Sequence, residues 1–205
     1  EDYQGECQQR ILTATTDARL IAIDALSGAR CSQFGEQGEV DLTISMGNDP
    51  RIFNFQTSPP GIVRGNAVVG GWVFDNRSVG EPSGVVRAFD ALSGEFAWAW
   101  DMGRPGVNTQ PLRGEVYTRG TPNVWSLFSV DEELGLIYAP TGNETPDYFG
   151  GQRMESSEQY ASSIVAIDGE TGSVRWSYQT THHDLWDYDV PSQPVLIDLP
   201  GEDGE

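Results

Sequence analysis

Three stretches of this sequence repeat one another. Leu20-Ile-Ala-Ile-Asp24-Ala-Leu-Ser-Gly28, Val86-Arg-Ala-Phe-Asp90-Ala-Leu-Ser-Gly94 and Val165-Ala-Ile-Asp168-Gly-Glu-Thr-Gly172 each run as a short β-prone segment into Asp-x-x-Ser/Thr-Gly. Each segment places apolar residues on alternating positions. The Asp then caps a turn through the backbone just after it, and the Gly takes the positive φ from which a second strand returns. Ten positions after each Asp stands an aromatic, Phe34, Trp100 or Tyr178, expected to pack on a neighbouring sheet. A repeat of this kind predicts an all-β fold in which small sheets bury their faces against one another around an axis, a β-propeller. A plain β-sandwich has no need of the recurring turn.

Further β runs lie between the repeats: Ile11–Thr15, Ala67–Gly71, Ser126–Val130, Leu136–Pro140 and Pro194–Ile197. Only Ser156–Ala161 reads as a helix, and a short one. The spacings from Asp24 to Asp90 and from Asp90 to Asp168 exceed the ~40–50 residues of a bare blade, so each repeat carries a long loop. The insertions are Asp75–Pro82, Met102–Pro122 and Asn143–Ser157, rich in Gly, Pro, Asn and Asp. Long loops on a rigid β scaffold are where chemistry is usually sited.

The densest chemistry lies in His182-His183-Asp184-Leu185-Trp186-Asp187-Tyr188-Asp189-Val190-Pro191. Carboxylates this close raise one another's pKa, so the segment can supply a base or a metal ligand, or it can be a solvated acidic loop. Zinc is disfavoured, because adjacent histidines on an extended strand point to opposite faces. One histidine can orient a carboxylate or contact substrate.

Composition removes other classes. Across 205 residues the formal net charge is -19, which opposes binding to a phosphate backbone, so nucleic acid is not an expected partner. All 12 basic residues are Arg, which removes lysine nucleophiles and Schiff bases from this chain. Six Trp, seven Tyr and eight Phe are enough for a core, so the acidity is a surface property. Cys7 and Cys31 flank a strand and a turn in polar surroundings and are expected to form a disulfide in an oxidising compartment. No apolar run reaches the ~18 residues of a membrane span. Opening on Glu1-Asp2 and closing on Gly201–Glu205, the sequence reads as an internal piece of a longer chain.

The blade ending in Asp-x-x-Ser/Thr-Gly resembles the quinoprotein dehydrogenases, which bind pyrroloquinoline quinone (PQQ) in an eight-bladed β-propeller. Thr141-Gly-Asn143-Glu-Thr-Pro-Asp147-Tyr-Phe-Gly-Gly151 and Tyr178-Gln-Thr-Thr-His182-His-Asp-Leu-Trp-Asp187 are similar to the membrane-bound branch that includes glucose and quinate/shikimate dehydrogenases. The resemblance covers residues 1–205 as part of one propeller domain, about three of the eight blades and incomplete at both ends. It implies Asp187 as catalytic base beside a metal, with Asp75, Asn76 and Asn143 as further Ca2+ (or Mg2+) ligands. Trp125 is implied to stack on the quinone, and Thr57, Trp186 and His183 to bind it as well.

The donor set agrees, since hard divalent cations take carboxylate and amide oxygens. The implied protein is a periplasm-facing enzyme that oxidises a sugar or cyclic polyol (glucose, quinate or shikimate type). It would pass electrons to ubiquinone, with its membrane anchor outside this chain. The Thr-Gly-Asn turn leans towards quinate/shikimate or polyol substrates. Two other readings use the same features. A non-enzymatic, protein-binding propeller would share the blades without the Trp-Asp pair and the Asp/Asn set, and a calcium-binding, lectin-like β domain would use the acidic loops without a quinone.

Overall fold

A computed structural model describes residues 7–49 and 51–199. Its strands form three sheets of the blade type and one small ribbon, and every pairing between named strands is antiparallel. The first sheet holds β1 (Arg10–Ala14), β2 (Arg19–Asp24) and β3 (Glu39–Asp41). The ribbon pairs β4 (Asn54–Phe55) with β7 (Trp72–Val73). The second sheet orders β5 (Gly61–Val63), β6 (Asn66–Val69), β8 (Val86–Asp90) and β9 (Phe96–Trp100). The third orders β10 (Ser129–Asp131), β11 (Leu136–Pro140), β12 (Ser163–Asp168) and β13 (Val174–Gln179). One helical turn, α1 (Glu155–Glu158), lies in the loop between β11 and β12.

The middle sheet shows why this sequence makes blades. On β6, Ala67 and Val69 face one core with Leu20, Ala22, Phe34 and Leu42 of the first repeat. Val68, between them, faces a second core with Ile137, Ala139, Val165 and Ile167 of the third sheet. On β8, Val86 and Ala88 face that second core while Phe89 faces the first. Strand alternation therefore serves two neighbouring sheets with one set of residues, the packing of successive propeller blades.

The repeated turns form as the sequence requires. Asp24 Oδ1 accepts the backbone N–H groups of Leu26 and Ser27 at 3.1 and 2.7 Å and the Ser27 hydroxyl at 2.7 Å. Asp90 Oδ1 accepts those of Leu92 and Ser93 at 3.0 and 2.6 Å. Asp168 Oδ1 accepts those of Glu170 and Thr171 at 3.1 and 2.9 Å. The closing Gly28, Gly94 and Gly172 have φ of 72, 75 and 72°. In the second and third sheets the register also slips just before the Asp, at Ala88/Phe89 and Ala166/Ile167, a bulge that adds twist at the same point of each repeat.

The structure corrects the sequence reading at four places. The aromatic ten positions after the Asp is buried at Phe34 and Trp100, but Tyr178 is 67% exposed, because the outer face of β13 meets no further sheet among the described residues. The blade-to-blade anchor is instead Trp98, eight positions after Asp90. Its Nε1 donates to the Gly169 carbonyl at 3.0 Å, and its ring lies so close to Gly172 that a Cβ there would sit 2.6 Å from it. Trp176, its counterpart after Asp168, is 47% exposed.

After Gly28 no strand returns directly. The return is a single antiparallel bridge, Arg30 against Ile23, then Cys31 is bonded to Cys7, with Cα atoms 5.7 Å apart, and the next strand is β3. Pro194–Ile197 is not a strand: the chain from Pro191 follows residues 126–129 through side-chain bonds, Ser126 Oγ to the Pro191 carbonyl at 2.7 Å and Gln193 Nε2 to the Phe128 carbonyl at 2.8 Å. Pro191 and Pro194 have no N–H to give to a ladder. Ile11–Thr15, Ala67–Gly71 and Leu136–Pro140 correspond to β1, β6 and β11 within two residues, Ser126–Val130 is strand only at Ser129 and Val130, and the helix is the single turn α1, begun one residue early. All three insertions are largely loop, and Asp75–Pro82 and Asn143–Ser157 meet residues 182–190 at one site.

Candidate active site

The 182–190 segment coils around a buried carboxylate. Asp184 is fully buried and accepts from Trp186 N–H and Tyr188 N–H, both at 2.9 Å, and from the Ser162 hydroxyl at 2.7 Å. Burial pushes its pKa up, but these donors outweigh burial and hold it below the usual range. The tight coil puts His183, Asp187 and Asp189 at φ of 46, 63 and 52°. His and Asp are among the non-glycine residues that tolerate this region best, which explains residue types that otherwise look extravagant here. The coil turns Trp186, Asp187 and Tyr188 outward to solvent.

Asp189 ties the coil to two other loops. Its Oδ2 accepts Trp125 Nε1–H at 2.9 Å, and its Oδ1 accepts the Asn143 backbone N–H at 2.6 Å. The Trp125 carbonyl in turn accepts the Thr57 and Ser58 hydroxyls at 2.6 and 2.8 Å. The indole is thus fixed at its edge and at its backbone, as a stacking platform must be. Asn143, buried, donates its amide to the Asp184 carbonyl at 3.0 Å and accepts Glu144 N–H at 2.8 Å. Gly142 is needed beside it: a Cβ there would stand 2.8 Å from Asn123 Oδ1 and 3.1 Å from Asp189 Oδ1.

Asn76, at φ 58°, pairs with Asp147 twice: its Nδ2 donates to Asp147 Oδ2 at 2.5 Å, and its Oδ1 accepts Asp147 N–H at 3.0 Å. The loop bearing Asp147 is stiffened from within. Glu144, buried, accepts Met154 N–H at 2.9 Å and the Ser157 hydroxyl at 2.7 Å, and Arg153 Nη2 donates to the Asp147 carbonyl at 2.9 Å. His183 Nδ1 lies 2.9 Å from Glu158 Oε1, and the ring packs against Gly150, so this histidine braces one loop on the other. His182 Nδ1 lies 2.8 Å from Gln179 Oε1.

The electrostatics single out four carboxylates. Burial, then the charges of Asp187 and Asp189, push Asp75 up to about 6. Burial, then Asp75, Asp187 and Asp189, push Asp147 up to about 7. Asp189 is raised by burial against the bonds from Trp125 and Asn143. Among the described residues no arginine side chain forms an ion pair with any of the four. A set of mutually repelling, partly buried oxygens with amides beside it suits a hard divalent cation. No three His, Cys, Asp or Glu side chains of the described residues already form a closed cage. Asp187 projects into solvent.

Thr57, Asp75, Asn76, Trp125, Asn143, Asp187 and Trp186 are therefore gathered on one side of the blades, with His183 at their margin. Sequence reasoning left out Asp147 as a member of the charge cluster, and it left out Tyr148, whose hydroxyl donates to Asp187 Oδ2 at 3.3 Å. Both stand in the Thr-Gly-Asn-Glu-Thr-Pro-Asp-Tyr run, directly after a proline, where an acidic residue and a phenol in sequence were the available signal.

Known proteins resemble this chain along its length. Residues 1–205 match the PQQ glucose/ethanol/alcohol dehydrogenase β-propeller domain. The glycerol dehydrogenase large subunit of Gluconobacter oxydans is 46% identical over 199 residues, 97% of this chain and 27% of that protein. Quinoprotein glucose dehydrogenase A of Acinetobacter calcoaceticus is 41% identical over 203 residues, 98% and 25% of the two chains. The quinate/shikimate dehydrogenase (quinone) of Acinetobacter baylyi is 40% identical over 200 residues, 97% and 25%. The chain thus spans about a quarter of the length of these relatives. A solved quinohemoprotein alcohol dehydrogenase of Pseudomonas putida superposes with a TM-score of 0.69 at 28% identity, over 95% of this chain and 28% of that one. With blades, turns and matched length in agreement, the chain belongs to the β-propeller domain family of the PQQ-dependent glucose, ethanol and alcohol dehydrogenases.

Proposed function

We propose that residues 1–205 carry the catalytic base and the metal-holding side chains of a PQQ-dependent dehydrogenase that oxidises a sugar, polyol or cyclic polyol. The observation that carries this reading is the exposed Asp187 beside three carboxylates with raised pKa and a Trp125 indole fixed at both ends. Bound here, PQQ supplies a two-electron hydride acceptor, and Ca2+ or Mg2+ a Lewis acid. Asp75, Asn76, Asn143 and Asp187 would hold the metal, and Trp125 and Thr57 would hold the cofactor, with Trp186 and His183 at its margin.

Asp187 takes the proton of the substrate hydroxyl, as a solvent-reachable carboxylate within hydrogen-bond reach can. Asp184 does not compete for that role, because its oxygens are spent on Trp186, Tyr188 and Ser162. Trp186 and Tyr188, 62 and 63% exposed, offer apolar faces for the CH surface of a polyol. Electrons then pass to ubiquinone. The quinone named in the quinate/shikimate relative supports that step, and the Cys7–Cys31 disulfide supports a periplasmic site, with an anchor outside residues 1–205. No helix of the described residues is long and apolar enough to cross a membrane.

The test is dye reduction by the full-length protein with PQQ and Ca2+ or Mg2+, on glycerol, glucose, quinate and shikimate, for wild type and Asp187→Asn. Loss of a general base lowers kcat by about 10²–10⁴-fold. Full activity in Asp187→Asn would remove the base, and a wild type that does not bind PQQ would favour the protein-binding scaffold.

A further inference from the structure

We infer that Tyr148 is a positioning residue for Asp187, its phenol fixing one carboxylate oxygen so that the other faces the substrate hydroxyl. The inference rests on the reading of Asp187 as the base. Asp187 is held more loosely than the other three carboxylates of residues 147–189 in the site. Asp184 accepts three hydrogen bonds and Asp189 two, and Asp147 is paired with Asn76. Asp187 sits on an exposed coil at φ 63°, and its one side-chain hydrogen bond among the described residues comes from Tyr148, at 3.3 Å to Oδ2. Without that donor a carboxylate at a solvent-facing position would sample several χ1 and χ2 rotamers, and few of them would point an oxygen at a bound alcohol.

Packing does not account for Tyr148. The residue is 63% exposed, so its ring contributes little burial, and its place in the fold is set by its neighbour instead. Asp147 is locked to Asn76 through both its backbone N–H and its carboxylate, and Arg153 holds the Asp147 carbonyl. The residue directly after such an anchor has a fixed origin, which is what a positioning donor requires. The two loops are held in relation to each other by His183 against Glu158 and Gly150 and by Asn143 against Asp184 and Asp189. At 3.3 Å the bond is long, as hydrogen bonds in unliganded active sites often are before they tighten around substrate.

The experiment compares wild type, Tyr148→Phe, Tyr148→Ala and Asp187→Asn as full-length protein with PQQ and Ca2+. It measures kcat, KM and, separately, PQQ affinity from the quenching of tryptophan fluorescence. Removing one hydrogen bond to an exposed charged group predicts a kcat about tenfold lower in Tyr148→Phe, with KM and PQQ affinity within twofold of wild type and Tyr148→Ala no worse than Tyr148→Phe. Wild-type kcat in Tyr148→Phe would overturn the inference. So would a raised KM at unchanged kcat, which marks substrate contact, or a parallel loss of PQQ affinity, which marks a structural role. Wild-type activity in Asp187→Asn would instead remove the base itself, an outcome separable from the other three.

Discussion

Asp90 and Asp168 on the blade turns and Asp75 and Asp147 in the site are the same side chain held in opposite electrostatic states. Burial raises the pKa of all four. At Asp90 it is outweighed by the Ser93 and Leu92 donors, and at Asp168 by Arg175, Thr171 and Glu170, so both end below the usual range. Asp75 and Asp147 face other carboxylates instead and end near 6 and 7. Burial therefore does not separate structural from functional acids in this molecule; what separates them is whether the neighbours are donors, as around Asp90 and Asp168, or other carboxylates, as around Asp75 and Asp147. By that criterion Asp184 belongs with the turns despite its place in the acidic run, and the function passes to Asp187, Asp75 and Asp147.

The comparison is most exposed at Asp184. If it is a cap, Asp184→Ala strands the buried Ser162 hydroxyl and two part-buried backbone N–H groups and costs about 3 kcal/mol of stability in the full-length protein, measured by urea unfolding. A shift under about 0.5 kcal/mol would put it with the site carboxylates. Next in size is a pair of opposite sign in the metal-free protein. Asp90→Asn weakens a turn and lowers stability by about 1 kcal/mol, whereas Asp75→Asn removes repulsion and raises it by a similar amount, discounted for its half exposure.

Acidity gives the same contrast by titration. Carboxylates raised to about 6 and about 7 bind protons in the folded state before the unfolded chain does, so their stabilising effect is full below about pH 4 and is lost as the pH rises through 6 and 7. The lowered turn carboxylates stabilise above about pH 4, and that contribution is lost as the pH falls through their depressed values. Metal-free stability should therefore peak in the mildly acidic range and fall on both sides. Thermal melts from pH 3 to 8 check this, and a profile that rises steadily to pH 8 would contradict it.

The turns were legible because their chemistry is local: the Asp, the hydroxyl and the Gly all lie within five residues, and each sheet alternates in the sequence as it does in space. Trp98 was not, since its partners Gly169 and Gly172 belong to the next repeat and nothing near Trp98 in sequence marks them. Pro194–Ile197 has the composition of a strand, but strand character depends on a partner, and here the neighbouring 126–129 segment offers side chains rather than a ladder. In the site, the resemblance to the quinoprotein dehydrogenases pointed to Asp75, Trp125, Asn143 and Asp187. The roles of Asp147, Asp189 and Tyr148 emerge only when loops from three repeats are brought together, and the prominent His183 proves to be engaged with Glu158.

The claim beneath all of this is that the carboxylates set against one another are the ones built to receive a cation. Calorimetric titration of Ca2+ into the full-length protein with PQQ present tests it directly, with Asp75→Asn compared against Asp90→Asn. The account predicts at least a tenfold loss of Ca2+ affinity in Asp75→Asn and wild-type affinity in Asp90→Asn. Equal affinity in the two variants would contradict it.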